Sequence, residues 1–179
     1  MNHWLTITVL ALCACLLAVS GCGKERRAST QDQSATLMTT EVPHVEATLE
    51  LTGSGLTEPK EFTFAQLADL DMVRLDNVMM LISHGPDKVT AWRGPSLDAL
   101  LTQAKVQPGP MLLMFEAADG YGFEVSREDL GQAIVALQDG DGHWLADLDK
   151  TGPLRLVAPD KPANYWVMNL QRIKVEPIE

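Results

Sequence analysis

The placement of cysteine limits how this chain can stabilise a fold. Its 179 residues include three cysteines, Cys13, Cys15 and Cys22, all within the first 22 positions. Residues 23–179 therefore form no internal disulfide and no metal site made of cysteine thiolates. About 135 residues follow a polar N-terminal stretch, and a segment of that length buries roughly two thirds of its surface on folding. We expect one domain that is stabilised by its hydrophobic core alone.

The residues before Cys22 predict an export signal. Trp4 to Val19 is an apolar run of about 16 residues, which is short against the roughly 20 that a membrane-spanning helix needs. The run ends in Val19-Ser20-Gly21-Cys22 and resembles the lipobox of bacterial lipoproteins, where a peptidase cuts before a cysteine that carries diacylglycerol. We expect residues 1–21 to be a lipoprotein signal peptide and Cys22 to be lipidated. An ordinary signal peptide or a short membrane anchor is the alternative.

Residues 22–43 predict a flexible tether, because they are polar and lack an apolar period. Lys24, Arg26 and Arg27 lie beside the lipidated cysteine, where a base gains about 1 kcal/mol from an anionic surface. Ordinary tether charges explain them equally well. The expected location is the cell envelope, with the lipid bilayer as a partner through Cys22. Gly23 is not the aspartate associated with inner-membrane retention, so the periplasmic face of the outer membrane is favoured in a Gram-negative host.

The charge of the chain excludes one class of partner. The formal net charge is −10, and the tether's acids and bases cancel, so the remaining domain is strongly acidic. Nucleic acid is therefore not an expected partner.

Residues 44–179 predict an α+β domain of many short strands and a few short helices. Helices are expected at Phe64–Leu70, after a capping box that begins at Thr63, and after the N-cap Ser96. Ser126 is expected to begin another capping box. The expected strands are Val45–Leu51, Met72–Ile82 with an interruption at Asp76-Asn77, Lys88–Trp92, Met111–Glu116, Tyr121–Val125, a central strand Ala133–Leu137, Leu154–Ala158 and the closing segment Tyr165–Val175.

The order of these segments resembles the sulfite-oxidase-type oxidoreductase molybdopterin-binding domain. The resemblance covers about residues 45–176 and implies a mixed-sheet, barrel-like fold, with molybdopterin as a possible cofactor. The matching pieces are Trp92-Arg93-Gly94-Pro95-Ser96-Leu97 with Leu100-Leu101, Phe115 through Asp119-Gly120-Tyr121, Ala133-Ile134-Val135-Ala136-Leu137 with Gly142, Gly152-Pro153-Leu154-Arg155-Leu156-Val157-Ala158-Pro159, and Leu170–Ile173.

Two functional residues of that family are missing. Its molybdenum is bound by a pterin dithiolene and by one protein cysteine, whose charged, polarizable thiolate suits the metal. The corresponding stretch here is about Met79–Ile82 and contains no cysteine. The family's closing strand carries Val-Lys-Trp-Leu, with the lysine helping to bind the cofactor, whereas this chain has Val167-Met168-Asn169-Leu170. Oxidoreductase chemistry of the family's type is therefore in doubt.

Four basic side chains are the candidates for cofactor binding. The resemblance places Arg93 and Arg155 in matched motifs that face the family's pocket, although a strand arginine is more often structural. His84 and Lys161 are loop residues that would complete a basic pocket, together with Lys88; solvation is the alternative for all three.

Other polar and aromatic residues carry weaker expectations. Asp119 is expected to stabilise a turn, Tyr121 to be a core ring with its hydroxyl bonded, and His143 to lie at the surface. An EF-hand calcium loop starting at Asp139 fails, because His143 and Trp144 occupy its fifth and sixth positions. Most tryptophans should be core residues, and Tyr165-Trp166 are candidates for a pocket mouth.

Three functions remain open at this point. The first is a lipid-anchored envelope protein whose domain serves as a ligand-binding or accessory module. The second is an active molybdopterin-dependent oxidoreductase with a non-cysteine metal environment. The third is an interaction domain for an envelope sensor or a redox partner protein.

Overall fold

The computed structural model describes residues 41–148 and 152–178. The expected signal peptide, the lipidated Cys22 and most of the tether lie outside these residues. The chain forms two short α-helices, α1 (Phe64–Ala68) and α2 (Leu97–Gln103), and 3₁₀ turns at Arg127–Leu130, Leu145–Asp147 and Ala163–Tyr165. Its strands are β1 (Thr48–Thr52), β2 (Lys60–Thr63), β3 (Met72–Met80), β4 (Lys88–Pro95), β5 (Met111–Ala117), β6 (Gly122–Ser126), β7 (Ile134–Ala136), β8 (Gln138–Asp139), β9 (Arg155–Val157) and β10 (Leu170–Pro177).

The strands assemble into three sheets. The largest has the order β2-β1-β10-β5-β6, the second has β3-β4-β8, and β7 pairs with β9. β1 and β10 run parallel, whereas the other pairs are antiparallel. The predicted mixed-sheet α+β fold is confirmed. The barrel-like closure is not: the sheets of the described residues remain separate and form no closed barrel.

Local sequence signals account for the helix starts. Thr63 forms the predicted capping box: its hydroxyl accepts from the Gln66 amide, and the Gln66 side chain accepts from the Thr63 amide. Ser96 caps α2 by accepting from the Ala99 amide at 3.1 Å. The capping box predicted at Ser126 is wrong, because a single 3₁₀ turn follows and the Ser126 side chain makes no capping bond.

The interruption predicted at Asp76-Asn77 is confirmed as a bulge in β3. The pairing of β3 with β4 shifts between Leu75 and Val78, and Asn77 has a φ of 55°. Asparagine tolerates this left-handed conformation better than most residues do. Because the bulge changes the alternation of side chains, Leu75 and Val78 are both buried although they are three residues apart.

The buried hydrophobic residues form a single core cluster, and two backbones approach closely beside it at Gly94. A Cβ atom at Gly94 of β4 would lie 1.9 Å from the Val135 carbonyl oxygen of β7, so only glycine fits. All three residues of β7 are buried. The strand predicted within Ala133–Leu137 forms as β7, which pairs with β9 and also makes an isolated antiparallel bridge between Ile134 and Ser96.

The five-stranded sheet carries an ionic link across three neighbouring strands. Arg172 of β10 donates to Glu50 of β1 and to Glu116 of β5, with Nη–Oε distances of 2.8 and 2.9 Å. These carboxylates raise the pKa of Arg172, with the Glu50 hydrogen bond as the largest cause.

None of the helices in the described part of the chain is both long and apolar enough to cross a membrane.

Candidate functional site

Arg155 is a nearly buried cation that lies against two tryptophans. Its guanidinium carbon is 4.8 Å from the ring centre of Trp92 and 6.0 Å from that of Trp166. The two rings contact each other edge to face, with their centres 6.5 Å apart. Arg155 is 9% exposed, and its Nε has no hydrogen-bond partner among the described residues. Burial lowers the pKa of its guanidinium group.

Hydrogen bonds hold both tryptophans in place around this cation. The Trp166 indole nitrogen donates to the carbonyls of Ala158 and Lys161, at 2.8 and 3.0 Å. The Trp92 indole nitrogen donates to the Thr90 hydroxyl at 2.9 Å. Both rings thus satisfy their only donor within the fold and offer their faces to the guanidinium, which is the geometry of a cation–π contact.

Trp166 also lines a cleft of about 330 Å³, here called the Tyr121 cleft. Its apolar walls come from Tyr121, Trp166 and Met168, together with two alanines, Ala117 and Ala163. Asp119 and Asn164 are its polar lining residues. The predicted pocket role of Trp166 is therefore confirmed, whereas Tyr165, its neighbour, does not line the cleft; it packs against Phe123 instead.

The loop that carries Asp119 and Tyr121 forms one side of the Tyr121 cleft and agrees in part with the sequence predictions. Asp119 stabilises the turn, since its Oδ1 accepts from the Tyr121 amide at 3.0 Å. The Tyr121 hydroxyl donates to the Asn164 carbonyl, as expected for a bonded hydroxyl. Its ring, however, is 47% exposed, so the prediction of a core ring is wrong. The hydroxyl reaches across to a separate loop, which holds the ring at the surface.

The structure places the four predicted cofactor-binding side chains in different surroundings. Arg93 follows Trp92 in β4, and neighbouring strand residues point to opposite faces. Trp92 is buried against Arg155, whereas Arg93 is exposed. His84 is exposed and Lys161 is half-buried. Their role in cofactor binding stays a prediction.

The stretch corresponding to the family's metal ligand lies at the end of β3. Met79 and Leu81 are 47% and 48% exposed, and Met80 is half-buried. The Leu81 carbonyl accepts from the Ala163 amide at 3.0 Å, which ties this stretch to the loop that lines the Tyr121 cleft. The donors available here are a neutral thioether and backbone carbonyls, and neither replaces a thiolate.

A second group of potential ligands lies in the loop after β8. Single atoms of Asp139, Asp141 and His143 lie within 4.8 Å of one another. Asp139 accepts from the amides of Asp141 and His143, both at 2.9 Å, and lies 3.2 Å from the His143 Nδ1. These bonds explain the arrangement as a turn, and the His143 side chain is 68% exposed, as predicted.

Comparison with known proteins identifies the fold family. Residues 38–179 match the oxidoreductase molybdopterin binding domain. The chain belongs to this family. Among the solved structures, it is similar to the sulfane dehydrogenase SoxCD from Paracoccus pantotrophus, with a TM-score of 0.63 and 21% sequence identity. The match covers 76% of this chain and 40% of that one, so the chain spans less than half of its relative's length. Among curated proteins, none matches this sequence.

The residues of this family member do not fit the family's molybdenum site. No cysteine occurs anywhere in residues 23–179, and the sequence resemblance aligns Met168 with the family's cofactor-binding lysine. Arg155 keeps the family's motif but lies against Trp92 and Trp166. The sequence placed Trp166 at a pocket mouth but did not predict the rest of the Tyr121 cleft, because its residues come from two separate loops. A further signal in the sequence was the turn at Asp119-Gly120, which lies next to the aromatic residue Tyr121.

Proposed function

We propose that this chain is a lipid-anchored envelope protein whose domain serves as a ligand-binding or accessory module rather than as a molybdenum oxidoreductase. The observation that carries the proposal is the donor set. The ligand stretch offers Met79, Met80 and Leu81, and a thioether is a weak ligand for an oxidised metal. The scaffold of the family is retained without the group that would hold its metal.

The change at Met168 supports the same proposal. This side chain is 49% exposed at the edge of the Tyr121 cleft. The family's lysine at this position would supply a positive charge toward an anionic cofactor, whereas methionine supplies none. Arg155 is the one basic residue of the matched motifs that lies beside the tryptophans, and its cation–π contacts give it a structural role.

Metal and pterin analysis tests the proposal directly. The full chain should be produced in a host that makes molybdopterin and purified without chelators. We expect molybdenum far below one atom per chain and no pterin fluorescence after oxidative release. A family member with its cysteine, prepared in parallel, controls for cofactor supply. Molybdenum at one atom per chain, released with pterin, would refute the proposal.

The membrane anchor needs its own experiment. Growth with labelled palmitate should label the chain, and the protein should partition into detergent. A Cys22→Ser variant should lose both properties, whereas a Cys15→Ser variant, altered within the predicted signal peptide, should keep them. Label that remains in the Cys22→Ser variant would show that lipid is not attached there.

One observation favours a second function, a molybdopterin-dependent oxidoreductase with a non-cysteine metal environment. The Arg155 Nε is buried without a partner among the described residues, and an anionic group would satisfy it. This function predicts pterin in the purified chain and its loss in an Arg155→Met variant.

A role beside an envelope sensor or a redox partner protein is compatible with the accessory module and predicts co-purification of that partner from solubilised membranes.

A further inference from the structure

We infer that the Tyr121 cleft binds a small organic ammonium ion. The cleft measures about 330 Å³, at the lower end of the range for small-molecule pockets. A compound of choline's size fits that volume. The inference rests on the proposed function, because a chain that carried the anionic family cofactor would need a basic group at Met168.

The charge of the cleft favours a cation. Asp119 is the charged residue among those that line it. The Tyr121 amide holds the Asp119 Oδ1 at 3.0 Å, which orients the carboxylate, while Oδ2 has no hydrogen-bond partner in the described part of the chain. Arg155 touches Trp166 but does not line the cleft. The net charge of −10 adds a long-range attraction for cations.

The walls of the cleft favour an ammonium group that carries alkyl substituents. The exposed ring of Tyr121 is fixed by its hydroxyl bond to the Asn164 carbonyl, so it presents a preorganised aromatic surface. Aromatic faces attract alkylated ammonium ions through their quadrupole. The half-exposed thioether of Met168 offers a polarizable contact for the methyl groups. A free metal cation would gain little from these apolar walls.

Calorimetric titration of the purified full chain with choline tests the inference. We expect a Kd of about 1 mM or lower, and at least about tenfold weaker binding of dimethylbutanol, the uncharged carbon isostere of choline. Equal affinity for the isostere would overturn the inference. So would the absence of choline binding up to about 10 mM.

Variants locate the binding site. Asp119→Asn keeps an oxygen that can accept from the Tyr121 amide but removes the charge, and we expect choline affinity to fall about tenfold. Met168→Lys should weaken binding at least as much. Asp71→Asn, at an exposed site before β3, makes the same charge change as a control and should leave affinity unaltered. Unchanged affinity in Asp119→Asn would overturn the inference. Molybdenum or pterin in the purified chain would refute the proposed function. A chain that contains no cofactor and does not bind choline would refute this inference alone.

Discussion

Replacing Arg155 with methionine separates a structural role of this residue from a binding role. Methionine keeps an unbranched chain of similar reach but removes the charge. In the native fold Arg155 is 9% exposed, and its guanidinium group has no counter-ion among the described residues. Its favourable contacts are with Trp92 at 4.8 Å and Trp166 at 6.0 Å.

The expected change in stability follows from two opposing terms. Loss of the cation–π contacts removes about 2 kcal/mol. Removal of a largely buried charge that has no counter-ion among the described residues recovers part of its desolvation cost, and replacing buried ions with apolar residues of similar volume commonly stabilises by about 1–4 kcal/mol. We therefore expect Arg155→Met to raise the free energy of unfolding by about 1–2 kcal/mol.

Urea denaturation of the purified protein measures this change. With an m value of about 2 kcal/mol/M, the midpoint should rise by about 0.5–1 M. Arg93→Met, at the exposed neighbour of Trp92, serves as the control and should stay within about 0.5 kcal/mol. A loss of more than about 1 kcal/mol in Arg155→Met would refute the reasoning, since it would show that the charge is paired or that its ring contacts outweigh desolvation.

The pH dependence provides a second check on the same variant. Burial lowers the pKa of Arg155, so the unfolded chain binds more protons than the folded chain between the folded-state pKa and the unfolded-state pKa. Stability would then rise as the pH increases through that range. Because arginine stays charged in both states between about pH 5 and about pH 9, the difference between Arg155→Met and the native protein should be constant over this interval. A difference that varies there would indicate another titrating group.

Three further predictions follow from the fold. Thr63→Ala should lower the free energy of unfolding by about 1 kcal/mol, because it breaks a capping box, whereas Ser126→Ala should have little effect because this serine makes no capping bond; urea denaturation measures both. Gly94→Ala should destabilise by more than about 3 kcal/mol, since its Cβ would lie 1.9 Å from a backbone oxygen of β7, and a loss below about 1 kcal/mol would contradict that contact. Ser54→Ala should raise the pKa of Glu176, because the Ser54 hydroxyl is the main cause that lowers it and Lys174 is the next. The stabilisation from this shift exists above the unfolded-state pKa and is lost as the pH falls through the folded-state pKa. NMR titration of the Glu176 carboxyl group measures the change.

The sequence predicted local structure correctly where a short motif within one turn of the chain determines it. The capping box at Thr63 and the N-cap Ser96 are confirmed, because each depends on residues within one turn. The bulge at Asn77 is also confirmed, since asparagine in an apolar strand signals a break. Ser126 has a similar pattern but begins only a 3₁₀ turn, so the pattern alone does not decide whether the side chain caps it.

Sheet partners and the candidate site were harder to predict. Ala133–Leu137 is apolar enough for a central strand, but its composition does not show that β7 pairs with β9 on one side and bridges Ser96 on the other. The Tyr121 cleft joins residues about 40 positions apart through one hydroxyl bond to the Asn164 carbonyl. Nothing in either loop's composition encodes that pairing, whereas the burial of the three folded-domain tryptophans was predictable from their size and polarity.

Arg155 and Met168 show why matched motifs carry unequal weight in this family member. Arg155 makes cation–π contacts with two buried rings, so its charge has contacts inside the fold without any cofactor. Met168 is half-exposed and makes no such contacts, so its identity is free to follow the chemistry of the ligand. A lysine at this position would therefore indicate anion binding more strongly than Arg155 does. The methionine observed there, which lines a cleft whose charged group is Asp119, supports the proposed change of ligand on a retained scaffold.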